Sequence, residues 1–164
     1  MKNKNIFFIG FMASGKSTLA RALAVELDRV FLDSDSLIEA KFDKSITEIF
    51  AEFGEDFFRK EEQKIANFFC GIKNASIATG GGFIQVSNLN EIGICVYLRA
   101  EFETLKNRLD LKEKEKRPLF YDEKKAKTLY NERLKIYEKK ANLILDIENK
   151  NIQELIYELK KRIE

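Results

Sequence analysis

The 164-residue chain is long enough to bury one substantial core, and its 14 phenylalanines supply bulk to fill it. A net charge of +2 makes no general case for nucleic acid or an anionic membrane as partner. There is no histidine, so acid–base work falls to carboxylates, and the two cysteines, Cys70 and Cys95, lack metal-ligand spacing and read as buried, reduced thiols of a cytosolic protein.

No apolar stretch is long enough to span a bilayer, and the run behind the basic N-terminus is too short for a signal peptide. That run, Ile6–Ile9, reads as a strand. It leads into Gly10-Phe11-Met12-Ala13-Ser14-Gly15-Lys16-Ser17-Thr18, which fits G-x-x-x-x-G-K-[ST], and a helical pattern of Leu19, Leu23 and Leu27 follows. A strand before and a helix after is the context that makes this a phosphate-binding loop. Curled backbone from Gly10 through Met12, Ala13, Ser14 and Gly15 to Thr18 turns N–H groups towards one anion, and the helix adds its positive end. Lys16 supplies a cation for the β- and γ-phosphates of a nucleotide, and Ser17 a hydroxyl for Mg2+.

A second strand, Val30–Leu32, ends at Asp33-Ser34-Asp35. Alternation in an extended chain places both carboxylates on one side, near the γ-phosphate. One suits magnesium, through water; the other suits the hydroxyl of a phosphoryl acceptor. Helix capping is the alternative reading of such a pair, and the phosphate loop beside it favours the functional one. Ser45-Ile46-Thr47-Glu48 reads as a capping box, with Ile46, Ile49, Phe50 and Phe53 on the buried side and Gly54 as the stop. A second helix is expected over Glu55–Phe69, with Arg59 and Glu62 on one face, able to pair.

After a third strand, Ser76–Ala78, come Gly80, Gly81 and Gly82, where a ligand or another backbone can approach closely. Ile94–Leu98 is a fourth strand. The charged run Leu111–Lys116, ending at Arg117, reads as a mobile flap, an exposed loop being the alternative. A helix from about Asp122 carries Arg133 and Tyr137, a fifth strand spans Leu143–Leu145, and a helix over Asn151–Ile163 shows nothing that suggests chemistry. Strands alternating with helices predict an α/β fold, a parallel sheet covered on both faces.

Together the phosphate loop, Asp33-Ser34-Asp35, Phe58-Arg59-Lys60-Glu61-Glu62, Gly80-Gly81-Gly82 and Arg117-Pro118-Leu119 resemble the shikimate kinase family, over about Ile6 to Ala141. The resemblance implies a single P-loop kinase domain over 1–164, of nucleoside-monophosphate-kinase type. It has a five-stranded parallel sheet flanked by helices, and a mobile lid at about 110–122. It implies ATP-dependent phosphorylation of the 3-hydroxyl of shikimate, on the route to aromatic amino acids. Lys16, Asp35 and Arg117 are then catalytic, and Ser17 and Asp33 hold Mg2+. Arg59, Arg133, Asp35 and the three glycines bind shikimate, and Arg108 lies against adenine. A cytoplasmic monomer with ATP and shikimate as partners, and neither nucleic acid nor membrane, is the expectation. Ala13 stands where the family commonly has glycine; alanine resists positive φ, so the loop is expected to differ there. The rivals are a gluconate-kinase-like or nucleoside-monophosphate kinase, and a non-catalytic ATP-binding module. The first would need other acceptor motifs. The second would be expected to have lost Asp35, Arg59 or Arg117.

Overall fold

The computed structural model describes residues 3–109 and 122–163. The flap sequence 111–116 and Arg117 lie outside the described residues. Five strands form one sheet: β1 (Asn5–Ile9), β2 (Val30–Asp33), β3 (Ala75–Ala78), β4 (Gly93–Arg99) and β5 (Leu143–Asp146). The order is β2-β3-β1-β4-β5, and every pairing is parallel. Each of the five runs read as strands is one, extended by a residue or two. β1 lies at the centre and is buried throughout, which is why its sequence runs apolar without alternation.

The helices are α1 (Lys16–Glu26), α2 (Ser34–Phe42), α3 (Ile46–Gly71), α4 (Leu89–Ile92), α5 (Phe102–Asn107), α6 (Glu123–Lys140) and α7 (Ile152–Ile163), with a 3-10 turn at Phe83–Gln85. Among the described residues no helix is long and apolar enough to cross a membrane. The Ser76 hydroxyl donates to the Ala20 carbonyl at 2.7 Å, fastening α1 to β3. At the amino end of β1, Asn5 donates to the carbonyls of Phe69, Ile72 and Ile92 and accepts from the Ala75 N–H, all within 3.0 Å. This buried amide joins four separate segments.

The capping box forms at Ser45 and Glu48 as expected, and Gly54 does interrupt the helix. Its φ of 80° and ψ of 173° divide α3 into two arms. Nothing lies within 4 Å of where its Cβ would stand, so glycine is needed there for its dihedrals and not for room. Two expectations fail here. Phe53 is 40% exposed, because it stacks on Phe57 at the rim, 4.7 Å between ring centroids, outside the small core around Ile38, Ile49 and Phe58. Asp33 and Asp35 are not alternate positions of an extended segment either. α2 begins at Ser34, so Asp33 closes the strand and Asp35 sits in the first helical turn. Of the two free thiols Cys95 is buried, whereas Cys70 is only half-buried.

Candidate active site

The carboxyl ends of β1, β2 and β3 open on one cleft of about 1630 Å³. At the phosphate loop, Lys16 is buried and its Nζ donates to the carbonyls of Gly10 and Phe11, both at 2.9 Å. Gly15 caps α1 in the left-handed region at φ 84°, with no side-chain cap and no acidic residue in the first turn. The N–H groups and positive end of α1 are thus not answered by a capping side chain, an arrangement suited to an anion. Ala13 corrects the sequence-based expectation. It takes φ 64°, so alanine does adopt the left-handed conformation here, at the steric cost this has for an L-residue.

Asp33 joins two elements. Its Oδ1 accepts from the N–H groups of Asp35 and Ser36, capping α2, and its Oδ2 accepts from the Ser17 hydroxyl at 2.6 Å. The capping reading of the sequence is met by Asp33, and the same carboxylate reaches the Ser17 hydroxyl of the phosphate loop. Ser34 takes the Gly80 N–H at 3.0 Å, which holds the start of α2 against the glycine strip.

The three glycines have a purpose the sequence did not suggest. None has a positive φ, so conformation does not require glycine. What glycine provides is space. A Cβ on Gly80 would stand 2.7 Å from Asp35 Oδ1, one on Gly81 3.2 Å from Arg133 Nη1, and one on Gly82 2.7 Å from Arg59 Nη2. The close approach is made by the protein's own polar side chains, from three different helices. Asp35 Oδ1 is buried without a hydrogen-bond partner among the described residues. Burial, then the charges of Asp33 and Glu62, push its carboxyl up to about 7 against the opposing pull of Lys16.

Arg59 and Arg133 reach this strip from α3 and α6. Arg59 Nη1 donates to Glu62 at 2.6 Å, the pairing expected from the sequence, while Nε and Nη2 both donate to Glu55 Oε1. Burial raises the Glu62 carboxyl above its ordinary value in spite of Arg59 and Arg133. The Tyr137 hydroxyl donates to the Gly81 carbonyl at 2.6 Å, and Tyr137 also shares a hydrogen bond with Arg133. Arg108 closes α5; its Nη2 reaches the Ile147 carbonyl at 3.4 Å, and its Nη1 lies 4.0 Å from a Cβ built on Gly15.

Residues 12–18, Asp33, Asp35, Arg59, Gly80, Gly81, Gly82, Arg108 and Arg133 all line the one cleft. Gly10 stands behind the lining, holding Lys16. Two contributions escaped the sequence reading. Lys150, Asn151, Ile152, Gln153 and Leu155, at and before the start of α7, form part of the wall, although that helix carried no motif. Glu55 holds Arg59 in addition to the expected Glu62; the i, i+4 spacing of Glu55 and Arg59 was the one available signal for it.

A sequence model of the shikimate kinase family matches residues 12–164. The chain belongs to the shikimate kinase family. It is an enzyme of that class, a phosphotransferase with an alcohol acceptor. The shikimate kinase of Helicobacter hepaticus is 45% identical over 144 residues, 87% of this chain and 86% of the other. The solved structure of shikimate kinase from Acinetobacter baumannii in complex with shikimate superposes with a TM-score of 0.91 at 32% identity, covering 99% of this chain and 93% of that one. A gluconokinase from Sinorhizobium meliloti reaches a TM-score of 0.54 at 13% identity over 98% of this chain and 95% of its own, a likeness of fold alone.

Proposed function

We propose that the cleft transfers the γ-phosphoryl group of ATP to the 3-hydroxyl of shikimate, with the acceptor hydroxyl placed on Asp35. The observation that carries this reading is the position of Asp35 Oδ1. It is buried against Gly80, without a hydrogen-bond partner among the described residues, in the cleft that the phosphate loop and the two arginines also line. A hydroxylated, carboxylated ring needs an acceptor for a hydroxyl and guanidinium forks for a carboxylate. Asp35 provides the first, and Arg59 with Arg133 the second.

Lys16 leaves the loop carbonyls for the β- and γ-phosphate oxygens, and the N–H groups of residues 12–18 hold the rest of the triphosphate. Magnesium fits the residues present. Ser17 and Asp33 bring two hard oxygens within 2.6 Å of each other, and this ion commonly takes one or two protein oxygens and fills its shell with water and phosphate. When bound, it neutralises charge developing on the phosphate oxygens. The shikimate hydroxyl attacks phosphorus in line, ADP leaves, and the hydroxyl proton passes to Asp35, whose raised affinity for a proton suits that role. Arg108 packs along the nucleotide. Arg117 is a further proposed contact to the transferring phosphoryl group, on sequence grounds.

Coupled ADP release with ATP and magnesium, with and without shikimate, tests this reading. Shikimate-dependent release that collapses in Asp35→Asn is the expected result. ATP binding with no stimulation by shikimate would assign the cleft another acceptor.

A further inference from the structure

Every guanidinium nitrogen of Arg59 already has a carboxylate partner inside the protein. Nη1 is taken by Glu62; Nε and Nη2 are taken by a single oxygen of Glu55, at 3.2 and 2.9 Å. The glycine strip presses against the same group at Gly82. The bonds to the glutamates use three of the five N–H groups, so a substrate carboxylate that takes the Nε–Nη2 edge does so in place of Glu55, and one that takes the bonded N–H of Nη1 does so in place of Glu62. The two glutamates are not equivalent. The Glu62 side chain is 1% exposed and the Glu55 side chain 63%. Freeing Glu62 would strand a charge in a dry site, whereas an exposed pair such as Glu55–Arg59 is weak and easily exchanged. Glu55 also follows directly on Gly54, the one non-helical residue of α3, and borders the cleft.

We propose that Glu55 is a placeholder carboxylate, which pairs with the Arg59 fork until the carboxylate of the substrate displaces it. Glu62 is the fixed partner that orients Arg59; Glu55 is the exchangeable one. Glu55 thus lowers the affinity for the acceptor, and in return keeps the guanidinium aligned and lets product leave more readily. This rests on the reading of Arg59 as a substrate-carboxylate site.

Calorimetric titration of shikimate and of shikimate methyl ester into wild type, Glu55→Gln and Arg59→Ala tests it, with initial-rate kinetics alongside. In Glu55→Gln the Kd for shikimate should fall by about two- to five-fold, the scale of an exposed ion pair, and the change should appear in KM more than in kcat. The ester, which lacks the competing charge, should show no such gain. An unchanged or raised Kd for shikimate in Glu55→Gln overturns the proposal, as does an equal gain for the ester. Arg59→Ala separates the two layers. Weakened shikimate binding there, with no gain in Glu55→Gln, removes only the placeholder role. Unaltered shikimate binding in Arg59→Ala removes both readings.

Discussion

The Asp35 carboxylate rests on the backbone of Gly80, so close that a methyl group at Gly80 would stand 2.7 Å from Oδ1. The same strip meets Arg59 at Gly82. Two groups of opposite charge, both proposed to bind the acceptor, are thus seated on either side of Gly81. Gly80→Ala should displace Asp35 and lower kcat/KM at least about ten-fold, a cost of about 1.4 kcal/mol in transition-state stabilisation. Gly82→Ala should instead displace Arg59 and raise KM for shikimate. Neither position has a positive φ, so circular dichroism and thermal melts should show both variants folded.

Asp35 should make the protein less stable as pH rises. Its carboxyl is raised to about 7, chiefly by burial, while in the unfolded chain it titrates near the ordinary aspartate value of about 4. Between those values the folded state holds more protons, so stability falls as pH increases from about 4 to 7 and stays lowered above. Asp35→Asn should therefore be more stable than wild type at pH 8, on the order of 1–3 kcal/mol given the open side of the cleft, and the gain should vanish near pH 4. Urea unfolding at the two pH values checks this. Equal stabilities at pH 8 would show that Asp35 is not strained by burial.

Tyr137 links two parts of the proposed acceptor site, since it donates to the Gly81 carbonyl and hydrogen-bonds Arg133. Its ring stacks on Tyr97, 5.1 Å between centroids, and would stay in place without the hydroxyl. Tyr137→Phe should weaken shikimate binding by about five-fold, the net worth of roughly one hydrogen bond, with KM for ATP little altered. An equal rise in both KM values would indicate general damage to the cleft.

The left-handed Ala13 offers a change in the opposite direction. At φ 64° an L-residue is strained, and glycine is not. Ala13→Gly should stabilise the fold by about 0.5–1 kcal/mol, strain relief less the entropy that glycine loses on folding. Denaturant midpoints of the two proteins decide it.

Much of this was legible in the sequence, because much of it is local. Backbone between Gly10 and Thr18 builds the phosphate loop by itself, so one contiguous motif suffices. Apolar runs such as Ile6–Ile9 have to be strands with both faces covered, and the capping box at Ser45 and the stop at Gly54 act within one turn. Only the tertiary structure decided what Gly80, Gly81 and Gly82 are for. A glycine chosen for its missing side chain looks the same in a sequence as one chosen for its dihedrals, and the groups that fill the space come from α2, α3 and α6. Asp33 was ambiguous for the same reason. Its two oxygens serve partners on two elements, Ser17 across the sheet edge and the first turn of α2. The wall from Lys150 to Leu155 has no motif at all, since it is fixed only by where β5 ends beside β4. Spacing along the chain records what a segment needs for its own conformation; the neighbours it meets are set by the order of strands in the sheet.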